Sequence, residues 1–196
     1  MSEVKKIKTL SKNKYLSLYS ADYINKNGKL KNWTIASRKD LETIENKFFK
    51  NEEDKIDAVV IVANHVEENK LVVIRQFRVP INGYVIELPA GLVDGNESFE
   101  EAVKRELKEE TGLDLIDIDK EGTKEKVYVS VGMTDESIAL VKCTCSGIIS
   151  KENLEEDEDI EVIMLNKEEA KKLINSNESI DVKALLAIQN FILSEN

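Results

Sequence analysis

The sequence predicts a mixed α/β or α+β domain, and three observations carry that prediction. Apolar segments of strand length outnumber segments with helical spacing. The two kinds mix along the chain instead of separating into blocks. The 196 residues suit one main domain with a small appendage, and 41% hydrophobic residues can build a core.

Residues 1–50 read as the appendage. The segment KYLSLYSADYIN alternates apolar and polar residues, Asn27-Gly28 supplies a turn, and Leu30–Ser37 returns as a second strand. Such a hairpin is marginal alone and needs a packing surface. Residues 39–55 are highly charged and read as a loop or weak helix. The main domain then runs over 51–196. DAVVIVANH and ENKLVVIRQFR are buried-type strands joined near Glu67–Asn69, and YVIELPAG is a third. A helix follows over 99–111. VYVSVGM, SIALVKCTCSG and DIEVIMLN read as further strands. Helices at Lys167–Ile174 and Asp181–Leu193 close the chain, the last with Val182, Leu185, Leu186, Ile188 and Ile192 near helical spacing. The acidic run Glu155–Asp159 interrupts the pattern as an exposed loop.

Charge narrows the function. Asp and Glu outnumber Lys and Arg by 38 to 28, a net charge of −10. A nucleic-acid binder needs a basic footprint, and an anionic membrane surface asks for the same. The balance suits a protein that concentrates cations. No apolar run approaches the roughly 18 residues of a membrane span, and MSEVKKIKTL lacks a signal core. Cys143 and Cys145, two apart, make a poor disulfide and an incomplete zinc site, so they read as small strand residues in a reducing cytoplasm. His65 is the sole histidine and lies near a turn, which leaves no histidine-based general catalysis.

The segment GLVDGNESFEEAVKRELKEETGL, residues 91–113, carries the chemistry. Ser98 with Glu101 forms a capping box, and Gly112 stops the helix. Glu106, Glu109 and Glu110 stand at i, i+3 and i+4, within an arc of roughly 100° on one face. Lys104 and Lys108 fall mainly on other sides. Three crowded carboxylates are either a solvated acidic face or a site for a hard cation such as Mg²⁺ or Mn²⁺.

Gly91, Glu97, Arg105-Glu106-Leu107, Glu109-Glu110 and Gly112-Leu113 resemble the Nudix box at every defined position. The resemblance implies a mixed-sheet α/β/α sandwich with the box as loop, helix and loop. It implies hydrolysis of a nucleoside diphosphate linked to another moiety. Glu106 and Glu110 would be the main metal ligands, Glu109 would assist, Arg105 would orient the glutamates, and Glu97 would brace the loop. The flanks Gln76-Phe77-Arg78 and Glu87-Leu88-Pro89-Ala90-Gly91 resemble the ADP-ribose pyrophosphatase branch. That branch implies a metal on the Ala90 carbonyl, phosphate on Arg78, and Glu87 beside the site. It implies adenine held by Tyr15 and Trp33, a substrate-binding Arg38, and a loop glutamate as base: Glu158 first, then Glu156. Val131 stands where the branch usually has proline. The implied cofactor is Mg²⁺ or Mn²⁺, the implied substrate a nucleoside diphosphate sugar, and the implied assembly a cytoplasmic homodimer paired through the N-terminal hairpin. A different nucleotide sugar or dinucleotide, or a sensor without turnover, are the rival readings.

Overall fold

The computed structural model describes residues 1–156 and 158–194, so Asp157 of the acidic run lies outside the described residues. The chain divides into two compact units. One is Met1–Asp57 with Lys126–Ile138, and the other is Ala58–Glu125 with Ala139 onward. The segment 126–138 thus joins the N-terminal unit, although sequence order alone assigns it to the main domain.

In the first unit, β1 (Glu3–Lys12), β2 (Ser17–Ile24) and β3 (Leu30–Ser37) form an antiparallel sheet in that order. The expected hairpin is β2–β3. Its turn is held by the Asn25 side chain, which accepts from the amides of Asn27 (2.9 Å) and Lys29 (3.0 Å), with Gly28 at φ +75°. Strand β1 corrects the two-stranded expectation. Its lysines mask the pattern because it is an edge strand, exposed nearly throughout and anchored by Ile7. The segment 39–55, expected as a loop or weak helix, contains a full helix, α1 (Leu41–Lys50). Asp40 caps it, accepting from Thr43 N at 2.9 Å. Ile44 of α1 packs on Ile7, Tyr19 and Ala21, with Ile35 and Phe48 around them.

A buried ion cluster fastens this unit. Lys39, Lys47 and Lys126 converge on Asp54 at 3.4, 2.7 and 2.5 Å, and Lys39 also meets Asp57 at 2.6 Å. Asp57 in turn exchanges hydrogen bonds with Ser137: Ser137 N donates to its carboxylate at 2.9 Å, and Asp57 N donates to Ser137 O at 2.7 Å. Burial raises the Asp54 pKa, but hydrogen bonds from Lys126 and Lys47 outweigh it and bring the group down to about 2.

The second unit begins with β4 (Ala58–His65) and β5 (Lys70–Arg78), buried along most of their lengths. Buried His65 secures their turn. Its Nε2 lies 3.0 Å from Gly147 O, and its Nδ1 accepts from Glu68 N at 3.3 Å. Then follow β6 (Gly83–Glu87), β7 (Ala90–Leu92), α2 (Phe99–Thr111) and β8 (Asp114–Ile118), while β9 (Lys124–Tyr128) runs into the segment that belongs to the first unit. The chain ends with β10 (Ser137–Ser146), β11 (Ile160–Leu165), α3 (Lys167–Ile174) and α4 (Val182–Leu193). The sheet runs β11-β5-β4-β10-β8, with β6 added to β5 and β7 to β4, and it is mixed. Helix α2 packs on β4, β7 and β8, while α3 and α4 pack on each other and on β11, β5 and β6.

One expected strand is shorter than its sequence suggests. In VYVSVGM, β9 stops at Tyr128, and Ser130 O accepts from Met133 N (2.9 Å) and Thr134 N (3.0 Å) in a turn. The alternating valines mimic a strand, but that turn overrides them. Strand β8 leaves no apolar run in the sequence because two of its five residues are aspartates. Cys143 and Cys145 are buried free thiols, and burial pushes their pKa values up to about 12 and about 11. No helix among the described residues is long and apolar enough to cross a membrane.

The Asp54 cluster predicts acid lability with a definite window. Its folded pKa lies below the ordinary 3.8, so its contribution is complete above pH 3.8 and is lost as pH falls towards 2. Asp54→Asn should flatten that acid dependence in a thermal-denaturation series. It should also lower Tm at pH 7 by at least about 4 °C, because three lysines lose their partner. Equal acid slopes in variant and wild type would show that other carboxylates govern it.

Candidate active site

The site grows from α2 and the turn it faces. Ser98 Oγ accepts from Glu101 N (3.2 Å) while Glu101 returns a bond to Ser98 N (2.8 Å), so the expected capping box starts the helix. Gly112 ends it at φ +76°, with its amide on Lys108 O at 3.0 Å. A Cβ there would sit 2.5 Å from Ser150 N. Ala102, Val103 and Leu107 are fully buried and fix the rotation of the helix. The face that turns toward β7 therefore carries Glu106 and Glu110 inward.

Both carboxylates are enclosed, at 8% and 2% exposure. Glu110 accepts from Ala90 N at 2.9 Å. Glu106 lies against Gly91, where a Cβ would stand 1.9 Å from its carboxylate carbon. Only glycine leaves that space. Glu109, by contrast, has 41% of its side chain exposed.

Arg105 organises the rest. Its Nη1 donates to Glu106 (2.7 Å) and Glu109 (3.0 Å), and its Nη2 donates to Glu97 (2.6 Å) and to Leu92 O (3.0 Å). Glu97 also accepts from Asp94 N at 2.7 Å and so closes the loop before the helix. Glu97, first among these partners, holds the Arg105 guanidinium well above its ordinary pKa. Positive charge is nevertheless short on the inner side. Burial pushes Glu110 up to about 8 despite its bond to Ala90, and the charges of Glu106 and Glu158 push the same way. Glu106 is likewise raised, by burial first, with Glu109 and Glu158 adding to it.

Glu158, in the acidic loop, is therefore within electrostatic reach of both buried glutamates. Its carboxylate caps a turn, accepting from Glu155 N at 3.0 Å. Arg78 and Glu87 meet across the β5–β6 pair: Nε lies 3.0 Å and 3.1 Å from the two carboxylate oxygens, and Nη2 lies 2.6 Å from one. Arg78 keeps 43% of its side chain exposed, and it also feels the charges of Glu110 and Asp181. Asp181, the N-cap of α4, was not foreseen, since nothing local in the sequence ties it to residues about a hundred positions earlier.

The chemistry of this donor set fits a hard divalent cation. It offers carboxylates and no thiolate or imidazole, with anionic charge in excess of its partners. As the side chains lie, among the described residues no three acidic, histidine or cysteine groups converge closely enough to hold an ion. Arg105 explains that arrangement, because it draws Glu106 and Glu109 onto its own guanidinium.

The first unit holds the remaining expected residues. Trp33 is half exposed, donates from its indole to Gly132 O at 3.3 Å, and lines a cavity of about 500 Å³ with Tyr23, Phe48, Tyr128 and Met133. Arg38 donates to Glu136 at 2.7 Å, so the Glu136 carboxylate is already engaged. Tyr15 lies apart from Trp33 along the sheet. It precedes the start of β2, whereas Trp33 is in register with Ala21, six residues further along. At about 3.3 Å per residue that separates them by roughly 20 Å, so one chain cannot sandwich a base between them.

Comparison with known proteins agrees with this geometry. The NUDIX domain model matches residues 54–185. An ADP-ribose pyrophosphatase of Bacillus subtilis is 35% identical over 80% of this chain and 83% of its own length. A GDP-mannose pyrophosphatase of an Enterobacter species is 31% identical over 81% of this chain and 84% of its own. A crystal structure of an ADP compounds hydrolase superposes with a TM-score of 0.69, covering 96% of this chain and 90% of its own at 18% identity, a likeness of fold. With the box residues gathered on one helix and the family model spanning both the sheet and that helix, the chain belongs to the NUDIX family.

Proposed function

We propose that this protein is a divalent-metal-dependent pyrophosphatase that splits ADP-ribose, or a closely similar ADP-sugar, into AMP and ribose 5-phosphate. The observation that carries the reading is the pair of enclosed carboxylates, Glu106 and Glu110, packed on the Ala90–Gly91 turn. Burying two like charges is costly without a counter-cation, and a folding role alone would favour apolar residues there. The relatives that carry ADP-ribose and ADP-sugar pyrophosphatase names support the substrate class.

In this reading Glu106, Glu110, Glu109 and the carbonyl of Ala90 hold Mg²⁺, with Mn²⁺ as a substitute. When bound, the ion neutralises the diphosphate and acidifies water. Glu158 accepts the proton of the attacking water at its carboxylate. Arg78, kept in place by Glu87, presents its guanidinium to a phosphate, a planar fork that lysine cannot match. Arg105 keeps Glu106 and Glu109 oriented. Water adds across the P–O–P bridge, one phosphorus taking the oxygen while the other phosphate leaves with the bridging oxygen. Trp33 and Arg38 bind the nucleoside end, with Tyr15 supplied by a partner subunit. The first 50 residues serve as the dimerisation subdomain, and the buried free thiols suit a reducing cytoplasm. The GDP-mannose pyrophosphatase relatives favour a second reading, a GDP-sugar substrate.

A hydrolysis panel with Mg²⁺ decides between them. ADP-ribose should exceed GDP-mannose, UDP-glucose, FAD and NADH by at least tenfold in kcat/KM. A reversed order of ADP-ribose and GDP-mannose would establish the second reading.

Gly91→Ala tests the metal assignment. The new methyl displaces the Glu106 carboxylate and leaves the backbone in place. Activity should fall by at least about a hundredfold, with Tm little changed. Glu110→Gln should raise the metal-free Tm by relieving a buried charge, and it should remove the Tm increase that Mg²⁺ gives the wild type. A Glu110→Gln protein still stabilised by Mg²⁺ would place the ion elsewhere.

Trp33→Ala should raise KM for ADP-ribose by roughly 5- to 150-fold, the loss of about 1–3 kcal/mol of base stacking. An equal rise for UDP-glucose would make Trp33 a structural anchor.

A further inference from the structure

The acidic loop is held by a side-chain bridge to β6. Tyr84 on β6 donates its hydroxyl to Asp159, the residue after Glu158. The two residues stand on opposite sides of β5. Tyr84 is in register with Phe77 across β5–β6, and Phe77 N donates to Asp159 O at 3.2 Å just before β11 begins. The Tyr84–Asp159 bond therefore spans three strands. The Tyr84 ring is itself packed from two sides. Phe77 meets it edge-on at 5.6 Å, and the Arg75 guanidinium lies 4.2 Å from its centroid. Arg75 also approaches Glu178 at 3.6 Å, in the segment leading to α4. A phenol held this firmly makes a fixed tether for an otherwise exposed turn.

That tether ends one residue from Glu158. Upstream, Asn153 donates to Lys108 O at 3.5 Å; among the described residues, Glu158 itself is held by its amide on Glu155 O (3.1 Å) and its carboxylate on Glu155 N, both internal to the turn. Those bonds fix the turn's shape, not its place on the sheet. The place is set by Asp159, through its backbone on Phe77 and its side chain on Tyr84.

We propose that Tyr84 is a positioning residue for the reaction: through Asp159 it holds Glu158 beside the buried glutamates of α2. The inference rests on the proposed role of Glu158 as the base. Tyr84 touches no reacting atom. Its removal lets the turn shift, and a base displaced by an ångström or so loses much of its effect.

The test is a double-mutant cycle on the full-length protein, with ADP-ribose and Mg²⁺. Tyr84→Phe keeps the ring packing and deletes the hydroxyl. It should lower kcat about 5- to 30-fold with KM within twofold of wild type. Asp159→Ala should match it, whereas Asp159→Asn, which keeps a carbonyl acceptor for the phenol, should restore at least half of wild-type kcat. In a Glu158→Gln background, Tyr84→Phe should have no further effect on kcat, because the base it positions is gone. A merely structural bridge would instead lower kcat by the same factor in both backgrounds. That result, or Tyr84→Phe within twofold of wild type, overturns the proposal while leaving Glu158 as base. If Glu158→Gln alone stays within threefold of wild type, the base reading fails first, and the positioning role falls with it.

Discussion

The chemistry of this molecule depends on placing two carboxylates where water does not solvate them. Glu110 is held by the amide of Ala90, and Glu106 lies in the space left by the missing side chain of Gly91. An ionised group in such surroundings is expensive, and Glu110 shows the cost in a pKa of about 8. Every nearby feature serves that placement. The capping box fixes where α2 begins, and Ala102, Val103 and Leu107 fix its rotation. Arg105 ties the helix back to the loop through Glu97 and Leu92 O. Shifting α2 by one residue would turn its apolar stripe away from the sheet and bring neither glutamate to the Ala90–Gly91 turn.

Arg105 and Arg78 do different work. Arg105 spends its donors on Glu97, Glu106, Glu109 and a backbone carbonyl, so it is committed to structure within the box. Arg78 has one carboxylate partner, Glu87, and retains a large exposed surface. A guanidinium anchored on one edge and open on the other is poised for an anion. The same residue type is thus an internal brace in one place and a recognition group in the other. The hydrogen-bond partners decide which, not the residue's identity.

How far the sequence reveals these arrangements depends on how local they are. The box was legible because its residues lie within one short stretch, 91–113, most of it the helix α2, where helical spacing converts directly into a face. Ser98, Glu101, Gly112 and the glutamate trio needed only that rule. Strands β4, β5, β10 and β11 were legible for a similar reason, since buried runs leave a strong apolar signal. Strand β1 was not, because its lysines are the signature of an edge strand, which the alternation rule misses. Helix α1 was legible only as a loop or weak helix because of its charge, although Asp40 three residues before Thr43 was a readable cap. The Tyr84–Asp159 bridge and the lysine cluster on Asp54 span tens of residues, so no short-range rule could supply them. The distance between Tyr15 and Trp33 was not legible for the same reason. Their separation follows from β2–β3 register, which depends on where the turn falls.

Two buried acidic groups, Asp54 and Glu110, separate stability from function. Asp54 is enclosed and meets three lysines, so its pKa falls to about 2 and its charge strengthens the fold. Glu110 is enclosed and meets other anions, so its pKa rises and its charge strains the fold. Burial is common to both, and the difference lies in the sign of the neighbours. A folding sequence tends to compensate buried charge, and each lysine around Asp54 is a case of it. Leaving Glu106 and Glu110 with too few cations therefore has to be repaid by something outside the chain. A divalent ion, carried in with a diphosphate, has the charge and the oxygen preference to do so.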